Sequence, residues 1–191
     1  NGAGKTTVLD LICGRTKATS GSVKFKDKEL LSMREDQIVH AGVGRKFQTP
    51  SVYEDLTVSE NLELSYPKGH GVFGALMFQR DDPVKARINE IAETIFLDDQ
   101  LDEKAAFLSH GQKQWLEIGM LLAQEPRLML VDEPAAGMTP EEREKTTDIL
   151  KEAAKTRAVV VGAHDMEFVR RLDCKVTVLH EGPVLAEGSL D

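Results

Sequence analysis

The chain has 191 residues and a formal net charge of −8 at pH 7, and 41% of its residues are hydrophobic. This length is sufficient for one α/β domain with a sizeable core, and the acidic balance argues against a general nucleic-acid binder that works by phosphate neutralisation. No apolar run approaches the about 20 residues that a membrane-spanning helix needs. Cys13 and Cys174 are isolated and lack metal-ligand spacing, which predicts reduced thiols in a cytosolic protein.

The chain begins within a phosphate-binding loop pattern. Gly4-Lys5-Thr6 matches the end of the pattern Gly, four residues, Gly-Lys-Ser/Thr, whose leading glycine would lie before Asn1. In such a loop backbone N–H groups point at the phosphates, the lysine adds a positive charge, and the Thr6 hydroxyl takes a Mg²⁺ position. An ordinary helix N-terminus is the alternative interpretation of this segment alone. The predicted ATP-binding residues here are Asn1, Gly2, Ala3, Gly4, Lys5, Thr6 and Thr7.

The next elements are short. The apolar stretch after the loop predicts a helix over residues 5–14. Alternation at Val23 and Phe25 predicts one surface strand over residues 21–30. A short helix is predicted over residues 32–40, and a strand over residues 43–48.

A largely helical region is predicted over roughly residues 53–124. Within it, residues 66–82 contain one proline and three glycines, which predicts a loop or irregular insertion. An apolar helix face follows, formed by Val84, Ile88, Ile91 and Ile95.

The segment Leu108-Ser109-His110-Gly111-Gln112 precedes a second helix of this region. Ser109 can cap that helix, so its N-terminus presents a hydroxyl group, N–H groups and the positive end of the helix dipole. This combination predicts a second anion site, and a well-capped helix start without a ligand is the alternative. The helix is indicated by the spacing of Trp115, Ile118, Gly119 and Leu122.

Residues 127–132 form a short apolar run that ends in two carboxylates, Asp132 and Glu133, followed by Pro134. This pattern predicts a buried parallel strand, and the carboxyl ends of such strands are where α/β sheets bind their ligands. Asp132 would hold Mg²⁺ directly or through water, and Glu133 would orient or deprotonate an attacking water molecule. A strand followed by a solvated acidic turn is the alternative.

Strands and helices alternate in the last third of the chain, which is typical of a parallel sheet. The predicted elements are a strand to Asp132, a helix over 140–154, a strand over 158–162, a helix over 165–172 and a strand over 175–180.

In this order, the phosphate-binding loop, the Leu-Ser-x-Gly-Gln segment and the Asp-Glu-Pro strand resemble the ABC ATPase family, and the resemblance covers essentially the whole chain. Lys46-Phe47-Gln48-Thr49-Pro50 is similar to the Q-loop of that family, and His164, after an apolar strand, is similar to its switch histidine. The resemblance implies catalytic roles for Glu133, His164 and Gln48, and a metal site made of Thr6, Gln48 and Asp132.

The resemblance also implies the fold and the cofactors. The fold class is α/β, a P-loop NTPase with a parallel sheet core over residues 1–52 and 125–191 and a helical subdomain over roughly residues 53–124. Two such domains pair head to tail, and the signature of one closes on the γ-phosphate held by Lys5 of the other, with ATP and Mg²⁺ as cofactors. The signature residues expected to bind ATP are Ser109, His110, Gly111 and Gln112.

Three positions depart from the family pattern. His110 stands where most signatures have a second glycine, which places the local backbone geometry in question. Thr139 stands where an aspartate is usual and is expected to cap the helix that begins at Pro140. Ala163 replaces an acidic residue that many relatives carry before the histidine. None of these changes removes the lysine or the glutamate, so catalysis is still expected in the complete protein.

Several stretches resemble the branched-chain amino acid group of importers. The segments around Ser109, Asp132, His164 and His180 are most similar to the urea-type ATP-binding subunit of that group. This resemblance implies import of urea or short amides at the cytoplasmic face of the plasma membrane. The implied partners are two transmembrane permease subunits, a second ATPase subunit and an extracytoplasmic binding protein, with no nucleic acid.

Three other functions are alternatives to urea import. A branched-chain amino acid importer ATPase is the first alternative, and a soluble ABC ATPase of DNA repair or translation is another, although such proteins usually carry coiled-coil insertions or a tandem domain. A non-catalytic regulator would be expected to lose Glu133 or His164, and both are present.

The family fold has a central strand and an adenine-stacking aromatic residue upstream of the phosphate-binding loop. We therefore expect the 191-residue chain to be an N-terminally truncated fragment. Such a fragment is expected to be poorly stable, to bind ATP weakly and to be inactive on its own.

Overall fold

The computed structural model describes residues 2–45, 52–67 and 82–190. The helices in these ranges are α1 (Lys5–Ile12), α2 (Glu35–His40), α3 (Val58–Ser65), α4 (Asp82–Thr94), α5 (His110–Ala123), α6 (Pro140–Ala154) and α7 (Met166–Leu172). The strands are β1 (Lys24–Phe25), β2 (Lys28–Glu29), β3 (Val43–Arg45), β4 (Leu128–Asp132), β5 (Ala158–Gly162), β6 (Val176–Leu179) and β7 (Val184–Gly188).

A parallel sheet with the order β3-β4-β5 forms the centre of the described part of the chain. Strand β4 is buried on both faces, as its continuous apolar sequence predicts. The register pairs Asp132 with Gly162, so the carboxyl ends of β4 and β5 lie side by side. The residues that follow these two strands are therefore brought to the same edge of the sheet.

The prediction of one surface strand over residues 21–30 is wrong. The segment forms β1 and β2, which pair as an antiparallel hairpin with Phe25 opposite Lys28. Lys26 has a φ of 55°, and this left-handed conformation reverses the chain between the two strands. The alternation of Val23 and Phe25 correctly indicates extended structure, but it does not show where the strand turns back.

Helices α3, α4 and α5 pack against one another around a shared apolar cluster. The predicted face of α4 is confirmed, since Val84, Ile88 and Ile91 are buried, and Ile95 just beyond the helix is fully buried as well. Helix α5 also reaches α6, where the buried Trp115 indole N–H donates a 2.9 Å hydrogen bond to the Thr146 hydroxyl. This contact ties the helical part of the chain to the helix that follows β4.

Gly119 on α5 packs closely against Ile95, just after α4, and against Leu62 on α3. A Cβ atom at this position would lie 2.5 Å from Ile95 Cδ1 and 3.0 Å from Leu62 Cδ2, both on fully buried side chains. We expect Gly119→Ala to lower the free energy of unfolding in a urea titration by about 1 kcal/mol, because overpacking costs about 1–3 kcal/mol and the gain in helix propensity returns about 1 kcal/mol.

The control for this prediction is Ile95→Val, which removes the Cδ1 atom that the new methyl group would meet. The double variant should be less destabilised than the sum of the two single variants. Additive losses would contradict the proposed steric cause.

Candidate nucleotide site

The loop before α1 has the backbone of a phosphate-binding loop. Gly2 and Gly4 have φ values of 85° and 99°, which glycine adopts without strain. Gly4 is the N-cap of α1, and no side chain caps this helix within the described residues. The N–H groups of the first turn therefore lie at the positive end of the helix dipole without a side-chain cap among the described residues, a position where an anion is stabilised.

Thr6 and Asp132 meet at the carboxyl end of β4. The Thr6 hydroxyl donates a hydrogen bond of 2.7 Å to Asp132 Oδ2, although the two residues are far apart in sequence. A hydroxyl and a carboxylate suit Mg²⁺, which is commonly held by one or two protein oxygens together with substrate phosphates. The side chains present therefore fit the predicted metal site.

Gly162 leaves the room that this arrangement requires. A Cβ atom at Gly162 would lie 2.6 Å from Asp132 Oδ1 and 3.4 Å from Leu9 Cδ1 on the first helix. Because Asp132 and Gly162 are paired in the sheet, a larger residue at position 162 would collide with the carboxylate that Thr6 contacts.

Glu133 and His164 are in direct contact. His164 Nδ1 lies 2.8 Å from both carboxylate oxygens of Glu133, and it is the donor because an ionised carboxylate only accepts. Glu133 has a φ of 47°, and its N–H donates to the Gly162 carbonyl at 2.7 Å. This hydrogen bond holds the turn after β4 against β5, and the turn directs the Glu133 side chain towards His164.

Asp165 fixes the loop that carries His164. Its carboxylate caps α7 by accepting hydrogen bonds from the N–H groups of Phe168 and Glu167, and Arg143 donates to it at 2.8 Å. The Phe168 and Glu167 N–H groups, together with the Arg143 guanidinium, hold the pKa of Asp165 below its usual range. This role of Asp165 was not predicted from the sequence, although an aspartate directly before a helix is a recognisable capping signal.

The signature segment forms a regular helix start, as predicted. Ser109 accepts a hydrogen bond from the Gln112 N–H, while the Gln112 side chain accepts from the Ser109 N–H. This capping box leaves the helical backbone of His110 undistorted, so the departure from glycine is accommodated.

His110 instead contacts the turn that follows Glu133. Its Nε2 atom lies 3.3 Å from the Ala136 carbonyl oxygen and 3.1 Å from Gln114 Nε2. The next helix begins with a second capping box, since the Thr139 hydroxyl accepts from the Glu142 N–H as expected. The signature and this turn are therefore held together within one chain.

The structure brings together only part of the predicted site. Thr6, Asp132, Glu133 and His164 lie along the carboxyl ends of β4 and β5, next to the loop at Gly4. The described hydrogen bonds of the signature side chains instead lead to Gln100, Gln114, Ala136 and Glu142. Asn1 and the Q-loop residues, Gln48 among them, lie outside the described residues.

A P-loop, a strand ending in Asp-Glu and a capped Leu-Ser-x-Gly-Gln helix define an ABC-type nucleotide-binding fold. Residues 1–136 match the family described as ABC transporter, and the chain belongs to this family. The predicted fold class and the predicted ATPase class are both confirmed.

The chain is 30% identical to the high-affinity branched-chain amino acid transport ATP-binding protein LivG of Escherichia coli, over 99% of this chain and 78% of the relative. Its structure is similar to the ADP conformation of an ABC transporter cassette, with 31% identity, a TM-score of 0.80, and coverage of 99% of this chain and 77% of the other. A dimeric cassette in a post-hydrolysis state with ADP and phosphate is 26% identical with a TM-score of 0.78, covering 99% and 82%.

These relatives support the broader part of the functional prediction. They favour the branched-chain amino acid alternative over urea, and the urea subtype is not confirmed. Within the described ranges, no helix combines the length and apolar character needed to cross a bilayer.

Proposed function

We propose that this chain is the ATP-binding and ATP-hydrolysing subunit of an importer of the branched-chain amino acid group. The observation that carries the proposal is the row of side chains at the ends of β4 and β5, where Thr6 contacts Asp132 and His164 contacts Glu133. LivG of Escherichia coli, named above, is a branched-chain amino acid transport ATP-binding protein. We further propose a core of residues 1–52 and 125–191 and a helical subdomain of residues 53–124.

In this proposal the triphosphate binds at the N-terminus of α1. Backbone N–H groups after Gly4 hold the phosphate oxygens, and Lys5 adds a positive charge. Thr6 and Asp132 would hold Mg²⁺, which when bound neutralises charge on the phosphate oxygens. Their 2.7 Å contact means that both oxygens are already close enough to share one ion.

Glu133 accepts a proton from, or orients, the water that attacks the γ-phosphate. Its carboxylate is one-third exposed, so water reaches it, while the hydrogen bond from His164 holds its orientation. In this proposal His164 Nδ1 donates to Glu133, and Nε2 of the same ring contacts a phosphate oxygen. The pair therefore couples the position of the base to the presence of the γ-phosphate.

The signature is proposed to act on the nucleotide of a second ATPase subunit. Support comes from the separation of the two predicted anion sites, because the described hydrogen bonds of Ser109 and Gln112 lead away from the P-loop. The structural relative with ADP and phosphate is a dimer, which is the arrangement that such a division of the site requires.

The permease contact is proposed to lie beside the helical part. Tyr53 and Phe107 are 56% and 74% exposed, and hydrogen bonds from Ala105 and Ala106 to the 54–56 segment bring their two stretches together. Exposed aromatic side chains on adjoining segments are suited to a protein partner. In this proposal the chain sits peripherally at the cytoplasmic face of the membrane, with two permeases and an extracytoplasmic binding protein.

The substrate class can be tested in a reconstituted transporter. With the permeases and the binding protein in liposomes, leucine or valine is expected to stimulate ATP hydrolysis, and urea is not. Urea and short amides are the second candidate, favoured by the resemblance of the segments around Ser109 and His164 to the urea-type subunit. Stimulation by urea alone would reverse this order.

A further inference from the structure

A cavity of about 500 Å³ lies at the end of the sheet opposite to the nucleotide site. Arg127 directly precedes β4 and Arg157 directly precedes β5, so both line the cavity from the amino ends of the strands. Arg87 on α4 and Lys26 in the β1–β2 turn complete its charged wall. The catalytic residues proposed above follow the carboxyl ends of the same strands and are therefore separate from it.

The charges around this cavity do not balance. Among the residues that the structure describes, four cationic side chains line it together with one acid, Glu125. Glu125 lies 3.9 Å from Arg87, and Glu90 pairs with the same guanidinium group at 2.7 Å. When both carboxylates are counted against the four described cations, two positive charges remain. This is the number that balances the two negative charges of a phosphate dianion.

The guanidinium groups also have unused donors. Among the described residues, Arg157 Nη1 and Arg87 Nε are buried atoms without a hydrogen-bond partner. The other described hydrogen bonds of Arg157 go to the hydroxyl of its neighbour Thr156. Buried donors of a charged group are costly to leave unsatisfied, and an oxyanion would satisfy them.

Burial and the nearby Arg87 charge lower the pKa of Arg157 from its ordinary value. Burial and the neighbouring positive charge are separate effects, and each disfavours the charged guanidinium, while the carboxylates of Glu125 and Glu90 act in the opposite direction. A bound anion would offset both unfavourable effects. The lowered pKa of Arg157 therefore agrees with the arrangement of cationic side chains around the cavity.

We propose that this cavity binds the phosphate group of a small molecule. The planar forks of Arg157 and Arg87 donate to the phosphate oxygens, and Arg127 and Lys26 contribute charge. The ligand would join α4 to the turns that precede β4 and β5, which links the helical part to the sheet. The proposal concerns binding alone and does not depend on ATP hydrolysis.

The test is a titration of the purified protein with inorganic phosphate, followed by the ¹H–¹⁵N correlations of the arginine Nε groups. Saturable shifts are expected for Arg87 and Arg157, and these signals report this cavity even if phosphate also binds at the P-loop. Arg157→Gln should raise the dissociation constant for phosphate, read from the Arg87 Nε signal, by about tenfold or more, because charged hydrogen bonds are lost. Arg157→Lys should give an intermediate loss.

The matched control is Arg34→Gln, which removes the same charge from an exposed side chain that pairs with Asp36. It should leave the dissociation constant unchanged. The proposal would be overturned if Arg34→Gln weakened phosphate binding as much as Arg157→Gln does, or if Arg157→Gln left the dissociation constant unchanged. It would also be overturned if chloride at the same ionic strength produced the same shifts.

Discussion

Glu133→Gln is expected to abolish ATP turnover and to leave ATP binding intact. The amide has nearly the shape of the carboxylate, so the turn after β4 and its hydrogen bond to Gly162 should persist. The amide cannot accept a proton from water, and loss of a general base typically costs about 10²–10⁴-fold in rate. The measurement is single-turnover hydrolysis at saturating ATP, together with equilibrium nucleotide binding.

A suitable control is Glu141→Gln on α6, where the side chain is 81% exposed and forms a 3.5 Å ion pair with Lys145. This variant carries the same change of charge but should hydrolyse ATP at the original rate. Undiminished hydrolysis in Glu133→Gln would mean that another group activates the water, and it would remove the assignment of Glu133.

Thr6→Val is expected to weaken Mg²⁺-dependent nucleotide binding by about tenfold or more, and to reduce hydrolysis accordingly. Valine has the same shape as threonine, so α1 should still pack against the sheet. The substitution removes the hydroxyl that contacts Asp132 at 2.7 Å and that would also hold the metal. The measurement is ATP affinity with Mg²⁺ and with EDTA, which separates the metal contribution from that of the backbone.

Thr6→Ser is the conservative partner of this variant and should restore most of the Mg²⁺ dependence, because it keeps the hydroxyl. An affinity difference between Mg²⁺ and EDTA that is the same in Thr6→Val as in the original protein would show that Thr6 is not a metal ligand.

The elements that local signals define could be predicted from the sequence. Helix α6 begins at Pro140 and ends at Ala154, as predicted, because Thr139 caps it and proline is favoured in the first turn. Strand β5 likewise spans residues 158–162. The residues that set the start of α6 form local hydrogen bonds, whereas β5 is marked by its apolar run and pairs with the distant strand β4.

Contacts between distant segments could be predicted only in part. The order of the motifs placed Glu133 and His164 at one edge of a sheet, but their direct hydrogen bond depends on the turn at Glu133 and on its bond to Gly162. The cavity at the amino ends of β4 and β5 could not be predicted from the sequence. Its residues Arg87, Arg127 and Arg157 come together only when α4 packs beside the ends of these strands. The role of Gln48 stays a prediction.

The most direct test of a transport function is to isolate the Glu133→Gln protein from detergent-solubilised membranes in the presence of ATP, and to identify the bound proteins by mass spectrometry. The proposed function predicts recovery of two multi-span permeases and a second ATPase subunit. Recovery of ribosomes or nucleic-acid factors, or of no partner, would contradict it and favour a soluble ABC ATPase.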